Sequence, residues 1–354
     1  MRVGVLILVL MMACSALAQA PPPPADKTMS PEQVAELKAK AEAGDAAAEL
    51  ALGRAYEAGH GVAQSDELAV QWYRKAAEQG NAEAQNGLGT MYRLGHGVNR
   101  DLQEAVKWYQ KAARQGQPNA QFNLATAYFN GDGVKVNDFD AYLWFLLAQD
   151  GGNHLANDGV QRVGAMLPED ERPGALFRIG NMYATGEGLD PSDGQAVKWY
   201  RRAAEQDFPP GQAALARMLM EGKGTAQDYG EAVRLCDAAA KAKYPPGMVC
   251  LGLLYEGGLG TRQDYGSAVK WYRRAAESGD KQGMHHLGAL FSQGLGVKQD
   301  KATAYMWYLL AARLGEPGAE QDAETLRGQL SDDQVAKAVK AVMQWRIRGR
   351  AWDY

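Results

Sequence analysis

Residues 105–113 read Ala-Val-Lys-Trp-Tyr-Gln-Lys-Ala-Ala, and variants of this segment recur along the 354-residue chain. The position of its tryptophan is held by Leu235 in one copy and by tryptophan in six: Trp72, Trp108, Trp144, Trp199, Trp271 and Trp307. Successive copies are 36 residues apart, except that 55 residues separate Trp144 from Trp199. A fixed period of this length is typical of a solenoid, in which each repeat is one supersecondary unit that packs on its neighbours.

Each repeat contains two helical patterns joined by a glycine turn. The first carries Leu-Gly-x-x-Tyr or a close variant, as at 88–92, with the apolar and aromatic residues on one helix face. A glycine inside a helix costs about 1 kcal/mol relative to alanine, so its presence indicates that a neighbouring helix approaches closely. A Gly-x-Gly then predicts a left-handed helix C-cap. The seven glycine pairs are Gly59/Gly61, Gly95/Gly97, Gly131/Gly133, Gly186/Gly188, Gly222/Gly224, Gly258/Gly260 and Gly294/Gly296.

The second helix begins four residues after the second glycine, at a residue that favours an N-cap. These residues are Ser65, Asp101, Asn137, Ser192, Asp228, Asp264 and Asp300. Glu104, Gln195 and Glu231 lie three residues further on and are expected to complete capping boxes. Alanines and the tryptophan share one stripe of this helix, so we predict that the indole is a core residue that fills the space left by the small side chains.

Together these motifs resemble the SEL-one-like repeat, a relative of the tetratricopeptide repeat. The resemblance covers roughly residues 45–315 and is weakest at 210–244 and 280–315, where leucine or phenylalanine replaces some of the expected aromatic residues. It implies an all-α fold, a right-handed α-solenoid of seven helix-turn-helix repeats of 36 residues. An internal match and the cap motifs further predict two blocks of three and four repeats with capping helices.

The two-block organisation follows from a second internal match. A shift of 163 residues aligns residues 141–167 with 304–330 without gaps, so each block is predicted to end in an extra helix. Solenoid ends need polar caps, and Ser30 and Ser331 each begin a capping-box pattern. The predicted organisation is a signal peptide at 1–18, a proline-rich tether at 19–29, an N-terminal capping helix at 30–44, repeats one to three at 45–151, a junction helix at 152–173, repeats four to seven at 174–315, and C-terminal helices and tail at 316–354.

The amino terminus has the pattern of a secretory signal. Arg2 precedes an apolar stretch at 3–12, which is too short to span a bilayer, and Ala16-Leu17-Ala18 is an A-x-A cleavage site. The sequence therefore predicts a periplasmic or secreted protein without a transmembrane segment. Lipidation at Cys14 is the alternative. The prolines at 21–24 indicate a stiff spacer or a proline-motif ligand.

Composition and motifs argue against several classes of function. The formal net charge of −4 and the lack of a basic block make nucleic acid an unfavourable partner. The five histidines show no metal-ligand spacing, so no metal and no cofactor are expected. Ser-x-x-Lys occurs at 267–270 and 278–281, but without the Ser-Asp-Asn or Lys-Thr-Gly that accompany it in penicillin-interacting enzymes. Both copies fall on ordinary repeat positions, so we predict that the protein is not an enzyme.

The resemblance also implies a binding face. In the tetratricopeptide fold, first-helix positions around the Leu of Leu-Gly line a concave groove. By position, the corresponding residues are Leu50, Arg54, Asn86, Thr90, Arg93, Phe122, Thr126, Phe129, Phe177, Asn181, Arg217, Met220 and His285. These vary between repeats while the frame residues do not. The three phenylalanines either contribute to a groove for an extended peptide or a partner loop, or pack on neighbouring repeats.

Two cysteines, Cys236 and Cys250, remain once the signal peptide is removed. They fall on helices predicted to be antiparallel neighbours, at similar distances from the intervening turn, and an oxidising location permits a disulfide. Cysteine-rich members of the resembled family bridge these same helices nearer the turn, where this chain has Ala240 and Met248. A disulfide and two buried thiols pointing in different directions are both compatible with the sequence.

The sequence as a whole favours an exported, non-catalytic scaffold or adaptor that binds a protein or peptide on its concave face. The alternative is a cell-wall-associated enzyme, or a carbohydrate-binding or penicillin-binding protein.

Cleavage after Ala18 leaves Gln19 as the first residue of the mature protein. We expect mass spectrometry of protein recovered from the envelope or the culture medium to find this terminus, because small residues at 16 and 18 fit a signal peptidase site. A lipid-modified Cys14 would establish the lipoprotein alternative, and an intact Met1 on most of the protein would contradict export.

Overall fold

The computed structural model describes residues 29–345 and folds them into eighteen α-helices with no strand in that range. The helices are α1 Pro31–Glu42, α2 Ala46–Ala58, α3 Asp66–Glu78, α4 Ala82–Leu94, α5 Leu102–Arg114, α6 Pro118–Asn130, α7 Asp138–Asp150, α8 Ala156–Met166, α9 Glu171–Thr185, α10 Asp193–Ala204, α11 Pro209–Glu221, α12 Tyr229–Lys241, α13 Pro245–Gly257, α14 Tyr265–Glu277, α15 Lys281–Gln293, α16 Lys301–Arg313, α17 Ala319–Arg327 and α18 Asp332–Gln344. The predicted signal peptide, the tether up to residue 28 and the tail at 346–354 lie outside the described residues.

The predicted all-α repeat architecture is confirmed. Seven helix pairs follow one another. In six of them, all but the third, the second helix packs against the first helix of its own repeat, and where another repeat follows directly it also packs against the first helix of that repeat. Four helices stand outside the pairs, namely α1, α8, α17 and α18. Both predicted capping boxes at the ends form, because Ser30 and Ser331 accept amide hydrogens from Gln33 and Gln334, whose side chains bond back to the serine amides.

The glycine turns have two separate physical causes. The first glycine of each pair is the predicted left-handed C-cap, as in Gly95 with φ +77°. The second glycine also has positive φ. In every repeat that directly follows another, it lies against the first turn of the second helix of that previous repeat. A Cβ on Gly97 would be 2.3 Å from the carbonyl oxygen of Asp66, and one on Gly133 equally close to that of Leu102. The Gly-x-Gly therefore ends one helix and allows two repeats to approach each other.

The N-caps form largely as predicted, but the capping boxes inside the repeats do not. Ser65, Ser192 and the aspartates at 101, 228, 264 and 300 accept backbone amide hydrogens. Glu104 instead forms an ion pair with Lys107 on its own helix, and Glu231 pairs with Arg201 of the neighbouring second helix. A cation within reach offers these carboxylates a stronger partner than a second backbone amide.

The core of five of the seven repeats is built on a glycine that faces a tyrosine. The glycine of Leu-Gly confirms the predicted close approach, but the group that reaches it is the tyrosine after the tryptophan, and not the indole. A Cβ on Gly89 would be 2.8 Å from the ring of Tyr109, and one on Gly252 would be 2.4 Å from that of Tyr272. Both tyrosines are almost fully buried. The glycine therefore provides the space that the aromatic ring fills.

The tryptophans flank this contact. Four of them, including Trp108 and Trp199, are buried as predicted, while Trp72 and Trp271 are only half-buried. A lysine or arginine three residues later lies over the indole ring in four repeats; Lys111 is 3.9 Å from the centre of Trp108, and Arg202 is 4.2 Å from that of Trp199. Such cation–π contacts cover one face of the ring.

The helices group into two compact units. The first contains residues 29–137 and 144–158, and the second contains 138–143 and 159–345, so α7 contributes to both. Among residues 29–345, no helix combines the length and the apolar character needed to cross a membrane.

The glycine–tyrosine contact can be tested within α4. We expect Gly89→Ala to destabilise the protein by about 1–3 kcal/mol, because its methyl group would overlap the Tyr109 ring in a packed core. Gly87 lies two residues earlier, where a Cβ would be 3.4 Å from Tyr73, an ordinary contact. Gly87→Ala should be neutral or stabilise the helix by up to about 1 kcal/mol. Denaturant unfolding followed by circular dichroism measures both, and equal effects would contradict the packing argument.

Candidate binding face

The first helices of neighbouring repeats touch one another through their side chains, which makes a continuous face within each unit. In the first unit, Arg54 of α2 forms an ion pair with Glu83 of α4 at 2.7 Å, and the amide of Asn123 on α6 donates to Asn86 on α4 at 2.9 Å. In the second unit, the sulfur atoms of Met220 and Cys250 on α11 and α13 lie 3.6 Å apart. We call the side chains presented by these helices the first-helix face.

Most of the predicted groove residues are partly accessible. Leu50 is the exception, because it is only 8% exposed and packs in the core with Val70 and Tyr73, so its assignment to an open groove is corrected. Arg54 and Arg217 are exposed. The others are half-buried: Asn86, Thr90, Arg93, Phe122, Thr126, Phe129, Phe177, Asn181, Met220 and His285.

The three phenylalanines differ in their surroundings. Phe122 meets the buried Phe145 edge-to-face, with ring centres 5.6 Å apart. Phe177 lies 5.8 Å from Tyr200 and 5.9 Å from Phe208. These two contribute at least partly to packing. Phe129 has no aromatic contact of this kind with any residue from 29 to 345, so it is the aromatic side chain best placed for a partner.

Several face residues satisfy the hydroxyl groups of the core tyrosines. Tyr200 donates to Asn181 at 2.7 Å, and the Tyr109 hydroxyl lies 3.2 Å from that of Thr90. In the first and sixth repeats, the phenols of Tyr73 and Tyr272 donate instead to glutamates five residues after the Leu of Leu-Gly. Burial, and then these carboxylate partners, raise the pKa values of Tyr73 and Tyr272 well above the usual phenol range. Some of the residues that vary between repeats on this face therefore have a structural role, since they form hydrogen bonds with the core tyrosines.

A histidine pair marks the last repeat. The His285 ring lies 2.7 Å from the carboxylate of Asp322 on α17, while His286 stacks on Tyr272 with ring centres 4.9 Å apart. Burial lowers the pKa of His286, against the opposing charge of Glu256. The sequence prediction included His285 but missed Glu57, Glu256 and His286. The available signal for the glutamates was their shared spacing, five residues after the Leu of Leu-Gly, at which both Glu57 and Glu256 contact a core tyrosine.

The comparison with known families accounts for the repeat pattern. The Sel1 repeat family matches seven segments, residues 46–81, 82–117, 118–153, 173–208, 209–244, 245–280 and 281–316. This protein belongs to the Sel1 repeat family. The match leaves α8 outside the repeats, between the third and the fourth. Comparison with curated proteins gave no match.

Three solved structures illustrate the likeness. A protective antigen of uropathogenic Escherichia coli strains with an SLR fold is 32% identical, with 87% of this chain and 70% of that chain covered and a TM-score of 0.45. A Sel1 repeat protein from Oxalobacter formigenes is 30% identical, with 83% and 90% covered and a TM-score of 0.39. A Sel1 repeat protein from Klebsiella pneumoniae is 19% identical, with 73% and 99% covered and a TM-score of 0.28.

Sel1 repeat proteins are generally non-catalytic scaffolds that mediate protein interactions, and the two Ser-x-x-Lys segments have local structural roles here. Ser267 donates to the N-cap Asp264 at 2.6 Å, and Ser278 donates to a carbonyl oxygen at the end of its own helix at 3.0 Å. Both hydroxyl groups are occupied at helix ends. Among residues 29–345, no group of three His, Cys, Asp or Glu side chains could hold a metal ion.

The structure joins Cys236 and Cys250 by a disulfide, with Cα atoms 5.8 Å apart. Cys236 occupies the position of the core tyrosine, and Cys250 precedes the Leu of the next repeat. In the sixth and seventh repeats, the same two positions hold Tyr272 and His286, whose rings are stacked. The disulfide therefore replaces an aromatic contact between consecutive repeats, which explains why the two sulfur atoms meet at a distance from the turn.

We expect the non-reduced mature protein to contain this disulfide. Its mass should be lower by two hydrogens than that of the reduced protein, and a peptide pair linking Cys236 to Cys250 should appear after digestion. Reduction should lower the unfolding free energy by at most about 3 kcal/mol, the value for a loop of this length. The control is the Cys236→Ala/Cys250→Ala protein, whose stability should not respond to reductant. Two alkylatable thiols after oxidising purification would contradict the prediction.

Proposed function

We propose that this Sel1 repeat protein is an exported, non-catalytic scaffold that binds an extended peptide or a protein loop on its first-helix face. The observation that carries the proposal is that the core residues and the face residues of the repeat differ in how much they vary between repeats. The glycine–tyrosine–alanine frame is nearly constant, whereas the first-helix face presents different, partly accessible side chains in each repeat. Aromatic and arginine side chains are the types that contribute most to protein interfaces, and Phe129, Arg93 and Arg217 supply them here.

The second helices are less suited to binding. In four repeats a lysine or arginine side chain lies over the tryptophan ring, as with Lys75 over Trp72 at 3.9 Å. Export is supported by the signal pattern at 1–18, and an oxidising location would suit the disulfide at Cys236 and Cys250.

Site-specific photo-crosslinking in cells tests which face binds. A photoreactive phenylalanine should be placed at Arg54 or Arg217 on the first-helix face, and at Gln110 or Arg234 on second helices as matched controls; all four side chains are exposed. We expect a discrete protein adduct from a first-helix position and none from the controls. Equal adducts from the controls, or no adduct from either first-helix position, would contradict the proposal.

Labelling with a fluorescent penicillin tests the rival enzymatic reading. We expect no stable label. A label that disappears in Ser267→Ala or Ser278→Ala would favour the alternative function.

A further inference from the structure

One position of the first-helix face reverses its charge in the second repeat. Five residues after the Leu of Leu-Gly, the first repeat has Glu57 and the sixth has Glu256, and each carboxylate accepts the hydroxyl hydrogen of the core tyrosine. The second repeat has Arg93 there. A guanidinium has only donors, so it cannot accept the phenol hydrogen, and the hydroxyl of Tyr109 is paired with Thr90 instead.

Arg93 is consequently a half-buried cation without an anion. Its Nε atom is buried and has no hydrogen-bond partner, and no carboxylate among residues 29–345 forms an ion pair with it. Burial raises the pKa of the Tyr109 phenol, and the hydrogen bond with Thr90, followed by the charge and a side-chain hydrogen bond of Arg93, opposes this rise. By contrast, Arg54 on the same face has Glu83 at 2.7 Å. A partly desolvated guanidinium without a counter-charge is costly, and a carboxylate that reaches it gains charge-assisted, often bidentate hydrogen bonds.

The neighbouring repeat supplies the second element of the site. Phe129 occupies the same position in the third repeat and is half-buried, without an aromatic partner among residues 29–345. The hydrogen bond from Asn123 to Asn86 shows that α6 and α4 are direct neighbours. Packed helices lie about 8–10 Å apart, and an extended chain advances about 3.3 Å per residue. Groups bound at the two positions would be separated by roughly three residues of an extended chain.

We propose that the second and third repeats bind an extended partner segment through an Asp or Glu side chain at Arg93 and an apolar side chain about three residues away at Phe129. This inference rests on the proposed function and specifies the chemistry of its partner. The carboxylate supplies the counter-charge that Arg93 lacks, and the apolar residue covers the exposed part of the phenylalanine ring.

Selection from a random peptide library tests the inference. The full mature chain is the bait, and the peptides are displayed with both ends fused, so that an acid must come from a side chain. We expect enrichment of Asp or Glu at one position and of an apolar residue about three positions away. With Arg93→Gln the acidic preference should fall to background while the apolar preference persists, and Phe129→Ser should show the reverse.

A matched control removes the same charge elsewhere in the second repeat. Lys107→Gln lies on α5, where Lys107 is exposed and paired with Glu104, so its selected peptides should equal those of the unmodified protein. For a selected peptide, fluorescence polarisation should show binding roughly tenfold to a hundredfold weaker with Arg93→Gln. Arg93→Lys should fall in between, because it keeps the charge but loses the bidentate geometry. Circular dichroism spectra and melting curves matching those of the unmodified protein establish that the variants fold.

The outcomes separate the two proposals. Selected peptides without an acidic preference, or an acidic preference that survives in Arg93→Gln, would overturn this inference and leave a binding face of different chemistry. A terminal carboxylate would be indicated if only peptides with a free carboxyl end bind, and this too would overturn the side-chain assignment. No binding of any peptide, together with no crosslink from the first-helix positions, would contradict the proposed function itself.

Discussion

The contact between a helical glycine and a tyrosine ring is the constraint on which the rest of the structure depends. In the first, second, fourth, sixth and seventh repeats, the ring lies so close to the glycine that a Cβ would be within 2.9 Å of it. A glycine in a helix is unfavourable by itself, so the pair is stable only because the buried ring more than offsets this cost. The short distance between the two helices then brings the alanines of the second helix into contact with the first helix.

The two repeats that lack this pair change both partners. The third repeat has Ala125 and Phe145, and the fifth has Ala216 and Cys236, in the positions of the glycine and the tyrosine. An alanine leaves less room than a glycine, and the fifth repeat has Cys236, which is smaller than a tyrosine, opposite Ala216. The space that a tyrosine would share with the next repeat is then used by the disulfide to Cys250. The cysteines therefore follow from the repeat pattern as a local exception to it.

The buried phenol also shapes the first-helix face. Each tyrosine hydroxyl needs a hydrogen-bond partner, and the accessible face is where Asn181, Thr90, Glu57 or Glu256 provides one. A side chain on this face can thus be needed for folding, for binding, or for both. Arg93 stands apart because its position holds a carboxylate that accepts the phenol hydrogen in the first and sixth repeats, whereas a guanidinium can only donate.

The sequence by itself determined the repeat period, the number of helix pairs, their caps and turns, and the helices on which the cysteines lie, because these depend on local propensity and on a pattern repeated seven times. The tertiary structure decided which aromatic residue fills the glycine gap, that Leu50 belongs to the core, and that Glu104 and Glu231 pair with cations instead of backbone amides. It also decided that the two sulfur atoms meet and that Arg93 lacks a counter-charge. These outcomes depend on distances between side chains of different helices, and a helical period specifies the face of a residue but not the neighbour that reaches it.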